Sequence, residues 1–176
     1  IAFTSARHER RGLDAGSQIW TLPLSGGEPV GRTEVGLWGR AHYDPAGNLY
    51  AVGITDRWGL PDVSPLYRIE DDGSLEDLTG HLARNISPHA PTILPAGPQW
   101  LEDGSAIVTV EDSGSVKVMT MTADGVCTEI IGGKRAVTGA SPNGDGTRVA
   151  FVATAPTDPG ELFLYEDGEE RQLTDL

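Results

Sequence analysis

The chain has 176 residues, 38% of them hydrophobic and 22% charged, enough apolar material for a packed core and too little charge for wholesale disorder. Its net charge of −13 repels phosphate backbones and argues against nucleic acid as a partner, and no apolar run is long enough for a membrane-spanning helix. A single cysteine, Cys127, excludes an intrachain disulfide and any metal site built on several thiolates.

Gly (23) and Pro (12) make up about a fifth of the chain, which suits short strands and tight turns better than helices. The charge is uneven. Residues 1–40 hold Arg7, Arg10, Arg11, Arg32 and Arg40 and are nearly neutral, so the acidic excess lies in the remainder.

Taken in chain order, the apolar runs repeat. Ile1-Ala2-Phe3 is the first, and its counterparts are Leu49-Tyr50-Ala51, Ala106-Ile107-Val108 and Val149-Ala150-Phe151, at intervals in the forties and fifties. A second run follows each: 19–24, 66–71, 116–121 and 162–167. Each second run leads into a turn of small residues, Gly26-Gly27, Asp72-Gly73, Asp124-Gly125 or Asp167-Gly168. Asp-Gly between alternating runs marks a hairpin, because type I′ turns need positive φ at both central positions. Third runs close the units at 29–35, 75–79, 126–131 and 170–173, two of them ending in Leu-Thr (Leu78-Thr79 and Leu173-Thr174). Ahead of the first run lies one more strand and turn, seen at Tyr43–Gly47, Trp100–Gly104 and Ala140–Gly144.

The unit is therefore four strands with a period of roughly 40–50 residues, the pattern of a propeller blade. The fold expected is all-β: a partial β-propeller arc of about four four-stranded antiparallel blades, three complete and the first lacking its inner strand. The approximate blade limits are 1–35, 36–80, 95–133 and 134–176, in a single partial propeller domain. Residues 77–86 form a loop with some helical character. Because both ends lie in or beside blade strands, a segment of a longer protein is expected, with self-association through the exposed faces of the terminal blades.

The repeat form "aromatic-Ser-Pro-Asp-Gly, strand, loop, strand, Asp-Gly, strand, Leu-Thr" is carried by Trp100–Gly104, Ser141–Gly144, Ile1–Arg7, Gln18–Leu24 and Glu170–Thr174. It resembles the blades of the prolyl oligopeptidase (S9) family and of TolB-like and WD40-like propellers. The opening stretch, Ile1 to Arg11 followed by Gln18-Ile19-Trp20, is similar to the acylaminoacyl-peptidase and dipeptidyl-peptidase branch. The ending, Glu161 to Leu176, resembles the last blade before such a chain crosses into an α/β-hydrolase domain. The resemblance implies a non-catalytic propeller segment of a cytoplasmic serine peptidase. Its partner is the C-terminal hydrolase domain of the parent chain, whose peptide substrates it gates. The alternative is an interaction propeller with no hydrolase partner.

No catalytic, cofactor-binding or metal-binding residue is expected within these 176 positions. Gly139-Ala140-Ser141-Pro142-Asn143 lacks the second glycine of a nucleophile elbow and sits between strands. His8-Glu9 begins a zincin-like motif, but Gly12 stands where its second histidine belongs. Asn143–Thr147 fails the spacing of a calcium loop and is expected to be a turn. Asn85-Ile86-Ser87 fits a glycosylation triplet, but Pro88 follows and no secretory signal is visible.

Cys127 is expected to be a buried small apolar residue. Trp38, Tyr43, Tyr67 and Trp100 are expected to pack between blades. The charged loop from Arg7 to Asp14 is expected to form solvated salt bridges between blades, or else to place Arg7 and Glu9 in a peptidase cavity against substrate termini. Trp58 lies in a loop, Asp56–Pro65, that lengthens the second unit, and long loops on repeat scaffolds often carry binding. Arg7, Glu9 and Trp58 are the contact candidates.

Overall fold

A computed structural model describes residues 1–87 and 97–175. The start expected for the third blade, residue 95, and the terminal Leu176 lie outside the described residues. The chain divides into two compact units, Ile1–Ala83 and Arg84–Leu176.

The first unit holds two antiparallel sheets. Strands β1 (Ala2–Ser5), β2 (Gln18–Thr21) and β3 (Val30–Gly31) form a three-stranded sheet in that order. Strands β4 (Leu37–Tyr43), β5 (Leu49–Ile54), β6 (Leu66–Ile69) and β7 (Leu75–Asp77) form a four-stranded meander. Among the described residues the first sheet thus has three strands, with no counterpart of β4. Residues Gly80–Leu82 form one turn of 3-10 helix, which is all the helical character in the expected segment.

The second unit holds two further meanders. The first comprises β8 (Gln99–Trp100), β9 (Ala106–Asp112), β10 (Ser115–Met121) and β11 (Cys127–Ile131). The second comprises β12 (Ala136–Pro142), β13 (Arg148–Ala155), β14 (Asp158–Glu166) and β15 (Glu169–Gln172). One parallel bridge, Val116 to Ala136, joins them. These are the four-stranded antiparallel blades of a partial β-propeller.

Local chemistry explains the turns. Asp72, Asp103 and Asp145 each precede a glycine, and each carboxylate accepts hydrogen bonds from the residue after it. Asp103 Oδ1, for example, lies 2.9 Å from Ser105 N and 2.6 Å from Ser105 Oγ. Gly104 between them has φ of +85°, a backbone setting that strains any residue with a Cβ.

The repeated threonines have a structural purpose as well. The Thr79 hydroxyl accepts from the Leu66 amide at 2.8 Å, and Thr174 accepts from Leu162 at 2.9 Å. Thr33 accepts from Ile19 at 3.0 Å. In three blades, then, a threonine closing the unit satisfies an amide of the strand before it: Leu66 at the start of β6, Leu162 within β14 and Ile19 within β2.

The core lies between the blades of each unit. In the first, Ile19 of β2 packs with Trp38, Leu49, Ala51 and Ile69 of the next blade. In the second, Val116, Val118 and Ile131 pack against Val137, Val149, Phe151 and Ala153. Fully burying side chains of this size contributes roughly 1.5–3 kcal/mol each. Strand β5 is buried at nearly every position, while β13 alternates buried and part-exposed residues. The imperfect alternation in the sequence follows from this burial of both faces within a blade.

Two local expectations need correction. Cys127 is only half-buried on β11; burial still raises its thiol pKa. Tyr43 ends β4 with its side chain out in solvent, at 44% exposure, so it does not share the inter-blade packing of Trp38. At the matching repeat position Trp100 is half-buried. Both Tyr43 and Cys127 lie near strand ends, where the sheet no longer covers both sides.

Candidate functional site

Two long loops of the first unit come together: residues 6–17 between β1 and β2, and residues 55–65 between β5 and β6. Each joins the second and third strands of its blade pattern, so both leave the sheets at the same end. Asp14 links them. Its side chain is 1% exposed, with Oδ1 accepting from the Gly16 amide at 2.9 Å and lying 3.3 Å from His8 Nε2. Its other oxygen faces Arg57 Nη1 of the second loop at 3.8 Å.

His8 completes the clasp. Nε2 lies 2.9 Å from the Gly16 carbonyl, which can only accept, so Nε2 carries the proton. Nδ1 is enclosed and has no hydrogen-bond partner among the described residues. Gly16 has to be small: a Cβ there would come 2.8 Å from Val35 Cγ1 and 2.9 Å from Asp14 Oδ1. The ion pair between blades is therefore buried at Asp14, not solvated. Sequence reading missed this clasp, because Arg57 is far from Asp14 along the chain and neither loop has a pattern that names its partner.

The clasp holds an exposed apolar surface in place. Trp58 is 61% exposed, with the Arg57 guanidinium 5.4 Å from its ring centroid. The Trp58 amide donates to Asp56 Oδ1 at 2.9 Å, which fixes the start of the loop. Leu60 and Leu13 are 69% and 79% exposed. Glu9 is exposed on the first loop. Arg7 is exposed too, but its guanidinium turns back over the rings of Phe3 and Trp20, at 5.6 and 5.3 Å from their centroids. The structure thus places Glu9 and Trp58 on the two clasped loops, and Arg7 at the junction of its loop with the sheet.

The remaining motifs resolve into scaffold. Ser141 lies within β12, paired with Ala150 of β13, with no strand-to-helix turn around it. Asn143 and Asp145 spend their oxygens on the hairpin, accepting from the amides of Arg148 at 2.9 Å and Thr147 at 3.0 Å. Asn85 donates to Glu111 at 3.0 Å, beside the buried Ile86 and Ser87. Trp38 is buried, meets Tyr67 edge to face at 5.6 Å and donates to the Glu34 carbonyl at 3.0 Å. Among the described residues, no group of three or more His, Cys, Asp or Glu is placed to hold a metal ion.

Comparison with known proteins shows which scaffold this is. No family model matches the chain. No curated protein matches it either. Solved structures do. The acylaminoacyl peptidase of Pyrococcus horikoshii superposes with a TM-score of 0.73 at 22% identity, over 99% of this chain and 26% of that one. The β-propeller domain of the Trilobed protease from Pyrococcus furiosus, described as having an open velcro topology, gives 0.71 at 20% identity, over 99% and 51%. TolB from Acinetobacter baumannii gives 0.65 at 16% identity, over 99% and 40%. The chain spans about a quarter of the first protein and about half of the second. It has the β-propeller fold that these peptidases share with TolB.

Proposed function

We propose that the chain is a non-catalytic propeller segment of a cytoplasmic S9-type serine peptidase. In this reading it covers a C-terminal α/β-hydrolase domain and restricts which peptides reach it. The observation that carries the reading is the superposition of nearly the whole chain on the propellers of peptidases, among them a puromycin-hydrolysing enzyme of Mycobacterium tuberculosis with a TM-score of 0.71. The clasped loops supply a surface suited to such a role, with Trp58, Leu60 and Leu13 exposed beside Glu9. Exposed aromatic side chains anchored on a rigid scaffold are common contact points for peptides.

The decisive test is to read the residues encoded after Leu176 and to assay the chain alone on peptide substrates. A Gly-x-Ser-x-Gly motif followed by Asp and then His is expected, with no hydrolysis above background by the chain itself. A stop codon or another blade would overturn the peptidase reading. Peptide cleavage that survives repurification would overturn the non-catalytic one. The likeness to TolB supports a second reading, a propeller that binds protein partners without a hydrolase, and the stop codon or further blade is the outcome it requires.

A further inference from the structure

A cleft of about 530 Å³ lies between the two blades of the second unit. The blades are joined at the bridge from Val116 to Ala136, where the Val116 amide donates to the Arg135 carbonyl at 3.2 Å. The cleft is walled by the Ser113-Gly114 turn that joins β9 to β10, by the residues leading into β12, and by the end of β13 with the turn after it. Ser115, Lys134, Arg135, Thr154, Ala155 and Pro156 are among its lining residues. Both blades contribute, so the cleft is a product of their packing. A volume of several hundred Å³ is in the range of small-molecule sites.

Arg135 is held in place before any ligand arrives. Its guanidinium lies over the rings of Phe151 and Phe163, 5.3 and 5.5 Å from their centroids. Nε donates to the Gly132 carbonyl at 2.8 Å, and Nη2 donates to both carboxylate oxygens of Glu170, each at 2.6 Å. Nη1 makes no hydrogen bond among the described residues. Its neighbour Lys134 is exposed and pairs with no carboxylate among the described residues, in a chain with twice as many acidic as basic side chains. The other lysine, Lys117, shows the contrast: its ammonium bridges Asp112 and Glu129 at 2.9 Å each. With Glu170 set against Arg135, the Lys134 charge is left uncompensated at the cleft.

We propose that this cleft binds the carboxylate of a small organic acid, with Lys134 and Nη1 of Arg135 as donors. A single uncompensated positive charge matches a carboxylate. A phosphate dianion would keep one negative charge unmatched in a chain that already carries −13. The volume exceeds what a lone carboxylate fills, so the acid has a body, and Ala155, Pro156 and the hydroxyl-bearing Ser115 and Thr154 offer it apolar and polar contacts. A guanidinium already fixed on two rings loses little freedom on binding, which lowers the cost of using it. The site rests on the packing of two blades, so it stands or falls separately from the peptidase reading.

The probes are acetyl-Ala-Ala with a free C-terminal carboxylate, the same peptide as its amide, sodium acetate and sodium phosphate. Each is titrated into the chain at low salt while backbone amide resonances are followed by NMR. The free-acid peptide should give saturable shifts at Ser113–Ser115, Lys134 and Thr154. Binding should be about tenfold weaker for the amide and for Lys134→Gln, the size of one charge-assisted hydrogen bond. Lys134 is exposed and unpaired, so this variant should keep the spectrum of the fold. Arg171→Gln, an exposed change on β15 of the same blade, should bind the peptide as the parent chain does. Absence of saturable shifts, equal binding of acid and amide, or undiminished binding to Lys134→Gln would overturn the proposal. An equal loss in Arg171→Gln would overturn it too, by showing a general charge effect. Phosphate binding more tightly than the free acid would overturn the assignment to a carboxylate, and acetate binding as tightly as the peptide would overturn the larger ligand.

Discussion

Thr33, Thr79 and Thr174 show how one hydroxyl can tie a blade together. Thr79 is fully buried, and its Oγ1 is the acceptor for the Leu66 amide inside the sheet. Thr79→Val keeps the shape and removes the acceptor, leaving a buried N–H unsatisfied. The expected cost is about 1–3 kcal/mol. Urea unfolding should show a lower midpoint with an unchanged slope, and an unchanged midpoint would contradict the role assigned to the hydroxyl. The Leu-Thr signature was legible in the sequence at Leu78-Thr79 and Leu173-Thr174, but its purpose was not. A hydroxyl's partner is set by register, and here it lies more than ten residues away. The same limit hid the pairing of Asp14 with Arg57, whereas Trp58 was legible as a loop residue because its segment breaks the repeat.

At the scale of elements, the hairpin turns are the most local structures in the chain and the most readable. Asp72 and Asp103 are hydrogen-bonded by the hydroxyl and amide of the serine two residues on, and Asp145 by the amide and hydroxyl of Thr147. These bonds favour the ionised carboxylate, so all three pKa values lie below the ordinary Asp value. A folded pKa below the unfolded one means that the unfolded chain takes up protons first as pH falls. The stabilising effect is therefore present above about pH 4, the unfolded Asp value, and is lost as pH drops through the folded values. Urea unfolding at pH 6 and pH 3 should show a stability loss that shrinks in the triple variant Asp72→Asn, Asp103→Asn, Asp145→Asn. Asparagine keeps the acceptor oxygen and cannot titrate. An unchanged loss would place the acid sensitivity elsewhere, for example at Asp112, whose bonds to Lys117 and Arg84 also hold its pKa low.

For the whole molecule, the open first blade has a consequence for association. Leu24 and Val30, beside β2 and on β3, are 89% and 54% exposed, and Phe3 and Trp20 are only half-buried. Exposed apolar surface of this kind favours self-association of the chain as given. Light scattering should show a concentration-dependent rise in mass that Leu24→Glu with Val30→Lys suppresses, while a strict monomer at high concentration would exclude it.

The sequence by itself determined the all-β class, the four-strand unit and the turn positions. Those features rest on interactions spanning a few residues, repeated often enough to be read against one another. Only the tertiary structure decided which polar groups meet: Asp14 with His8 and Arg57, threonine hydroxyls with distant amides, and Arg135 with Glu170 beside the stacked rings of Phe151 and Phe163. Those partners are brought together by blade packing and strand register. A shift of one residue in register turns a side chain to the opposite face, so no pattern along the chain could have named them.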